Sequence, residues 1–388
     1  MRKFLFALTG SATAGAAALA ALVSAAEAAD IKIGFVTSLS GPVSSIGIPY
    51  DHGIKAGFAH VSEIDGNKIT LIALDDASDP STAAKNARKL IEEDKVDVLI
   101  GTAGAPGSLA MAAVSRETKT PIIVIANANL PGPDGAWMVT VPQPAPLMVS
   151  AVVAEMKKSG IKSVGFIGFS DAWGDLVYNA LTATAEPAGI KVTTNERYAR
   201  ADTSVTAQAL KVVATRPDAV ITGGSGTPGA LPYLALAERG YKGPIYGTHA
   251  LINPDFVRVG AAAVEGLIAP TGPVVVSEQL PDDNPIKKVG AEYKAALAKA
   301  VPTATPNAFS AYSYDGWLIF VDAAKRALKT AQPGTPEYRV ALRDAIVSTK
   351  ELVGTHAVYN FKPDERYGTD ERSRVLVKLE KGAWKLIK

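Results

Sequence analysis

The chain has 388 residues, 47% of them hydrophobic, with 40 Lys and Arg against 38 Asp and Glu. So even a charge balance excludes a strong field for collecting nucleic acid or anionic membrane, and it points to a small, nearly neutral partner. The length allows two domains with separate cores, and the lack of any cysteine excludes both a disulfide scaffold and a lipid-modified cysteine.

The N-terminus reads as an export signal. Arg2 and Lys3 precede an uncharged run from Phe4 to Ala26, and Ala26-Glu27-Ala28 forms an A-x-A cleavage site. The run is just long enough to span a bilayer as an uncleaved anchor, but its Ala, Gly, Ser and Thr content favours removal. Residues 1–29 are therefore expected to be cleaved, leaving a free periplasmic protein without membrane insertion.

Val- and Ile-rich runs then alternate with helical patterns. Strands are expected at 31–39, 68–76, 96–102 and 121–128, buried on both faces, with helices at 50–64, 81–94 and 108–119 between them. The pattern restarts with strands at 162–170, 191–199, 218–224 and 243–250 and helices near 174–187, 203–215 and 228–240. Three prolines, Pro142, Pro144 and Pro146, mark a stiff crossing between the two halves. Long helical patterns follow at 284–300 and 308–329, a shorter one near 336–348, and a tail of strand-like alternation, all expected to be shared between the lobes. This is an α/β chain with parallel sheets flanked by helices.

In open parallel sheets, ligands sit beyond the carboxyl ends of the strands. The stretch "IGTAGAPGSLAMAA", residues 100–113, lies at such an end. Its glycines, Gly101, Gly104 and Gly107, do not have G-x-G-x-x-G spacing, and no Lys-Ser/Thr pair follows, so no nucleotide cofactor is expected. Its backbone N–H groups and Ser108 suit a carboxylate at a helix N-terminus, or the glycines simply make the turn and Ser108 caps its own helix. Matching strand ends offer the hydroxyls of Ser38, Ser40, Ser44 and Ser45 beside Ile46, the amides of Asn127 and Asn129, Trp173 at a helix mouth, a flexible turn at 223–229, and His249. Together these suggest two half-sites across a cleft, one rich in hydroxyls and amides and the other with an aromatic wall.

Catalytic patterns are missing. His52, His60, His249 and His356 are scattered, and neither H-E-x-x-H nor G-x-S-x-G occurs, so no metal site and no enzyme is expected. The carboxylate pairs Asp75-Asp76 and Asp282-Asp283 read as capping or solvated groups, Trp317 and Trp384 as core or strand residues, and Trp137 as packing under the 127–133 loop or reaching the cleft.

"IKIGFVTSLSGPVSSIG", "DDASDPSTAAKNARKLIEEDKVDVLIG", "FSDAWGD" and "SAYSYDGWLIFVDAAKRAL", in this order behind an export signal, resemble the periplasmic binding proteins of branched-chain amino acid ABC importers. The resemblance implies a type I fold of two lobes joined by three crossovers, with 30–142 and 275–352 in lobe 1 and 146–272 and 356–388 in lobe 2. It also implies hinge closure on a ligand, a membrane permease as partner, and a monomer. Carried over by position, the ligand's carboxylate falls to Ala105 and Ser108, then Asn127 and Asn129. Ile46 lines the cleft, Trp173 closes over the ligand, and Ser225 or Gly226 contributes from the second lobe.

One departure bears on the ligand. Relatives that bind amino acids usually carry an acid for the ammonium in the loop that here reads "YGTHAL", with His249, or Thr248 if the alignment slips by one. A neutral imidazole cannot replace it for a buried ammonium. The expected ligand is thus a small acid without an amine, benzoate- or hydroxycinnamate-like, with Trp173 stacking on its ring. A branched-chain amino acid is the alternative if Asp171 supplies the acid, and a ligand-sensing receptor domain is the alternative of another class.

Overall fold

The computed structural model describes residues 29–387, so the export-signal reading lies outside the described residues. Among these, one sheet has the strand order Glu63–Ile64, Asn67–Asp75, Ile31–Thr37, Val98–Gly101, Ile122–Val124 and Met138–Thr140. All its pairings are parallel except the hairpin Glu63–Ile64 with Asn67–Asp75. The second sheet is parallel from Lys191–Val192 through Ser163–Phe169, Ala219–Gly223 and Ile245–Tyr246 to Ile268–Thr271. The antiparallel hairpin Val375–Glu380 and Ala383–Leu386 completes it.

The central strands are buried on both faces almost throughout, as their predominantly apolar sequences require. Helix Ala308–Ala327 is the spine of the first lobe, with Phe309, Tyr312, Tyr314 and Trp317 buried. It lies against helix Ser44–His60, where Gly57 permits the approach: a Cβ there would meet the Trp317 ring at about 2.5 Å.

Several elements differ from the sequence reading. The first helix starts at Ser44 rather than at residue 50, so Ser44 and Ser45 lie in its opening turn while Ser38 and Ser40 precede it. Helix Ala145–Lys158 was not anticipated; Pro146 lies in its first turn, where a missing N–H costs nothing. The run 191–199 splits into Lys191–Val192 and Glu196–Tyr198, both beside Ser163–Phe169, and 243–250 keeps only Ile245–Tyr246 before a 3-10 turn at His249–Leu251.

The third crossover lies later than expected. Residues 354–356 stay on the first lobe because the buried Asp315 carboxylate accepts the N–H groups of Thr355 (2.6 Å) and His356 (3.0 Å) and the hydroxyl of Tyr359 (2.8 Å). Tyr367 then bridges to Thr140 in the first sheet, so the chain passes to the second lobe between Tyr367 and Val375. That corrects the boundary placed at 352–356.

Candidate functional site

The carboxyl ends of both sheets converge on one cavity of about 40 Å³. From the first lobe come Ile46, Ala103 to Ala105, and Ala126 with Asn127; from the second come Trp173, Arg200, Ser225 and His249. Tyr50, Phe309 and Tyr312 close the walls from the two packed helices. A recess of about 180 Å³ adjoins it and shares Gly104 and Arg200.

Arg200 is held from three sides. Asp171 caps helix Ala172–Ala185, its Oδ1 accepting the N–H groups of Trp173 (2.9 Å) and Gly174 (3.2 Å), while Oδ2 accepts from Arg200 Nε at 2.5 Å. Arg200 Nη1 donates to Ser225 Oγ at 2.8 Å, and its guanidinium lies 4.2 Å from the Phe169 ring centroid. Nη2 makes no hydrogen bond among the described residues. The Asp171 carboxylate is thus engaged in bracing this arrangement.

The aromatic wall is equally constrained. Trp173 Nε1 donates to the Gly224 carbonyl at 3.1 Å, and its ring meets His249 edge-on at 5.6 Å. Tyr50 donates to the Ile125 carbonyl and Tyr312 to Gln143 Oε1, each at 2.6 Å. His249 is 4% exposed and its Nδ1 has no hydrogen-bond partner. Burial pushes its pKa down to about 3, so its imidazole is neutral at physiological pH.

That shift has a consequence for stability. His356, buried against Tyr312, is also lowered to about 3 by burial, and burial raises Asp315 to about 6. Between pH 6 and 4 the unfolded chain binds two more protons at the histidines and one fewer at the aspartate. The net of one proton at these three groups lowers folding stability by something on the order of 1 kcal/mol per unit of acidification. Urea unfolding at pH 6, 5 and 4 checks this; a flat profile would contradict it.

Ser40, Ser108, Asn129 and Gly226 are not among the residues that line the cavity. Ser40 is exposed and donates to Asp75 at 2.8 Å, and Asn129 is exposed. Ser108 is buried, but its Oγ faces the Thr102 peptide, 3.4 Å from N and 3.5 Å from O. Asn127 lines the cavity with its amide already committed to the Gln143 carbonyl and to Tyr367 Oη. Ala105 begins a helix that has no side-chain cap, which leaves its first N–H groups available at the cavity. Trp137 is outside the cavity, under the Arg343 guanidinium at 4.6 Å.

The lobes also meet directly. Pro49, inside helix Ser44–His60, has no N–H for the Ser45 carbonyl four residues before it. That carbonyl instead accepts from Asn253 Nδ2 of the second lobe at 2.6 Å, and Ser45 Oγ accepts the Thr227 N–H at 3.1 Å. Gly226 packs against the same corner. Asn253→Asp keeps the Oδ1 that caps helix Pro254–Gly260 but removes the donor to Ser45. It should weaken ligand binding by about 1–3 kcal/mol with little change in unfolding temperature. Titration calorimetry beside a melt separates the two effects.

Arg200, Tyr50, Phe309 and Tyr312 were missed in the sequence. A signal existed for Arg200: it follows strand Glu196–Tyr198 at the same sheet end as Asp171 and Ser225. The three aromatic residues sit inside helices and carry no local mark of a cavity.

Two α/β lobes whose strand ends and helix starts enclose a small cavity from both sides define a ligand-binding protein. The chain belongs to the periplasmic binding protein family, whose sequence profile matches residues 30–369, and its relatives place it in the type I, branched-chain amino acid group. A Leu/Ile/Val-binding protein of Rhizobium johnstonii is 24% identical over 334 residues, covering 84% of this chain and 85% of its own. The structure is similar to an extracellular ligand-binding receptor from Rhodopseudomonas palustris, at 42% identity and TM-score 0.89, over 92% of this chain and 99% of that one. A leucine-binding protein from Thermotoga maritima shares the fold at 21% identity and TM-score 0.78, over 92% and 98% of the two chains. Among the described residues, no helix is long and apolar enough to cross a membrane, and no group of three or more His, Asp or Glu side chains is placed to hold a metal.

Proposed function

We propose that this protein is the extracytoplasmic solute-binding component of an ABC importer, and that it captures an aromatic acid of benzoate or hydroxycinnamate type between its lobes for delivery to a membrane permease. One observation carries the ligand reading. Among the described residues lining the cavity, Arg200 is the one charged side chain, and the rings of Tyr50, Trp173, His249, Phe309 and Tyr312 line the same cavity. A carboxylate meets Arg200 Nη2 and the uncapped helix start at Ala105, a flat ring meets the aromatic wall, and no lining carboxylate is offered to an ammonium.

The volume supports capture by opening. A cavity of about 150 Å³ holds one benzene ring, so a cavity of about 40 Å³ admits an aromatic acid only when the lobes part. The test is thermal unfolding of residues 30–388, refolded from denaturant, against benzoates, hydroxycinnamates, aliphatic acids and branched-chain amino acids. Stabilisation by the aromatic acids alone is the expected result. Stabilisation by leucine or valine, the ligands named in its relatives, would overturn the aromatic-acid reading and leave the carrier role standing.

A further inference from the structure

We propose that Gln143 is the positioning residue through which the cavity wall sets the angle between the lobes; this rests on the reading of the cleft as one that opens and closes. Gln143 lies in the first crossover, between strand Met138–Thr140 and helix Ala145–Lys158, and is fully buried. Each of its polar groups has a separate task. Nε2 donates to the Ser373 carbonyl at 2.6 Å, which ties the first crossover to the third. Oε1 accepts from Tyr312 Oη at 2.6 Å, and the main-chain carbonyl accepts from Asn127 Nδ2. Tyr312 and Asn127 both line the cavity.

The second crossover reaches the same ring. Tyr312 stacks on His356, with centroids 3.7 Å apart and planes 12° from parallel. The His356 ring in turn packs against Gly272, where a Cβ would collide with it, at the point where strand Ile268–Thr271 leaves the second lobe. All three crossovers therefore converge on a ligand-facing tyrosine, two of them through one glutamine side chain. The group is buried and hydrogen-bonded, so a change of lobe angle must break or re-form these bonds rather than stretch them. A ligand pressing on Tyr312 favours whichever angle keeps the Tyr312–Gln143–Ser373 chain intact.

The absence of native cysteine makes the test direct. Lys85→Cys in the first lobe and Leu210→Cys in the second, both exposed, carry nitroxide labels, and pulsed electron paramagnetic resonance reads the inter-lobe distance in ligand-free protein. Gln143→Leu should change the ratio of long- to short-distance populations about fivefold, which is what one net hydrogen bond is worth. Tyr312→Phe, which removes one hydroxyl, should shift the ratio in the same direction and add nothing further in the Gln143→Leu background. If Gln143→Leu does not fold, Tyr312→Phe alone decides: an unchanged distance distribution overturns the proposal. So does a Tyr312→Phe effect that survives undiminished once Gln143 is replaced. Because no ligand is used, failure here is distinct from failure of the aromatic-acid reading, which the unfolding panel tests.

Discussion

Arg200→Gln is expected to weaken binding of an aromatic acid by about 2–5 kcal/mol, which is roughly 30- to 5,000-fold. The side chain is 16% exposed and already oriented by Asp171, Ser225 and the Phe169 ring. Its remaining N–H groups can thus meet a carboxylate without the ordering cost of a free side chain. Glutamine is neutral and lacks the planar fork, so both charge and bidentate geometry are lost. Folding should suffer less, because Asp171 keeps its two backbone donors and stands at the edge of solvent. Calorimetric titration with benzoate and 4-hydroxycinnamate gives the affinities, and the mutant's melting curve gives the control. Equal affinity in the wild type and the variant would remove Arg200 from the site.

Gly226→Ala should act on closure. Gly226 has φ 56° and ψ −156°, a region in which a residue with a Cβ is strained by about 1–3 kcal/mol. A Cβ there would also lie 2.6 Å from Ser45 Oγ and 3.2 Å from Ile46 on the opposite lobe. The strain acts whether the lobes are apart or together, while the collision exists only when they are together. The variant should therefore melt a few degrees lower, lose more affinity than its melting temperature alone implies, and have a larger radius of gyration by small-angle scattering with ligand present. Compaction by ligand equal to that of the wild type would contradict this account.

The sequence alone determined the architecture and picked out some of the residues that line the cavity. Alternation of apolar runs with amphipathic helices is a local property, and it was enough to recover the two parallel sheets and the loops at their carboxyl ends. Trp173 and His249, which line the cavity, could be picked out because they follow strands, where strand direction alone fixes the end of the sheet they occupy. Ile46 and Asn127 were legible for the same reason, whereas Ser225 is named only through the family resemblance. Ser40, Ser108 and Asn129 occupy equally suitable positions in sequence, yet they face Asp75, the Thr102 peptide and solvent. Side-chain direction within a loop is set by contacts that no spacing encodes.

Tertiary structure decided the rest. Tyr50, Phe309 and Tyr312 come from two helices far apart in the chain, and only the packing of those helices turns the three rings toward one cavity. The third crossover likewise depends on Asp315 holding residues 355 and 356 from a helix about 40 residues earlier. Such long-range hydrogen bonds fix where the chain changes lobe, and local propensity carries no trace of them. The same holds for the Ser45 carbonyl: the sequence contains the proline that leaves it without a helical partner, but only the fold brings Asn253 to it.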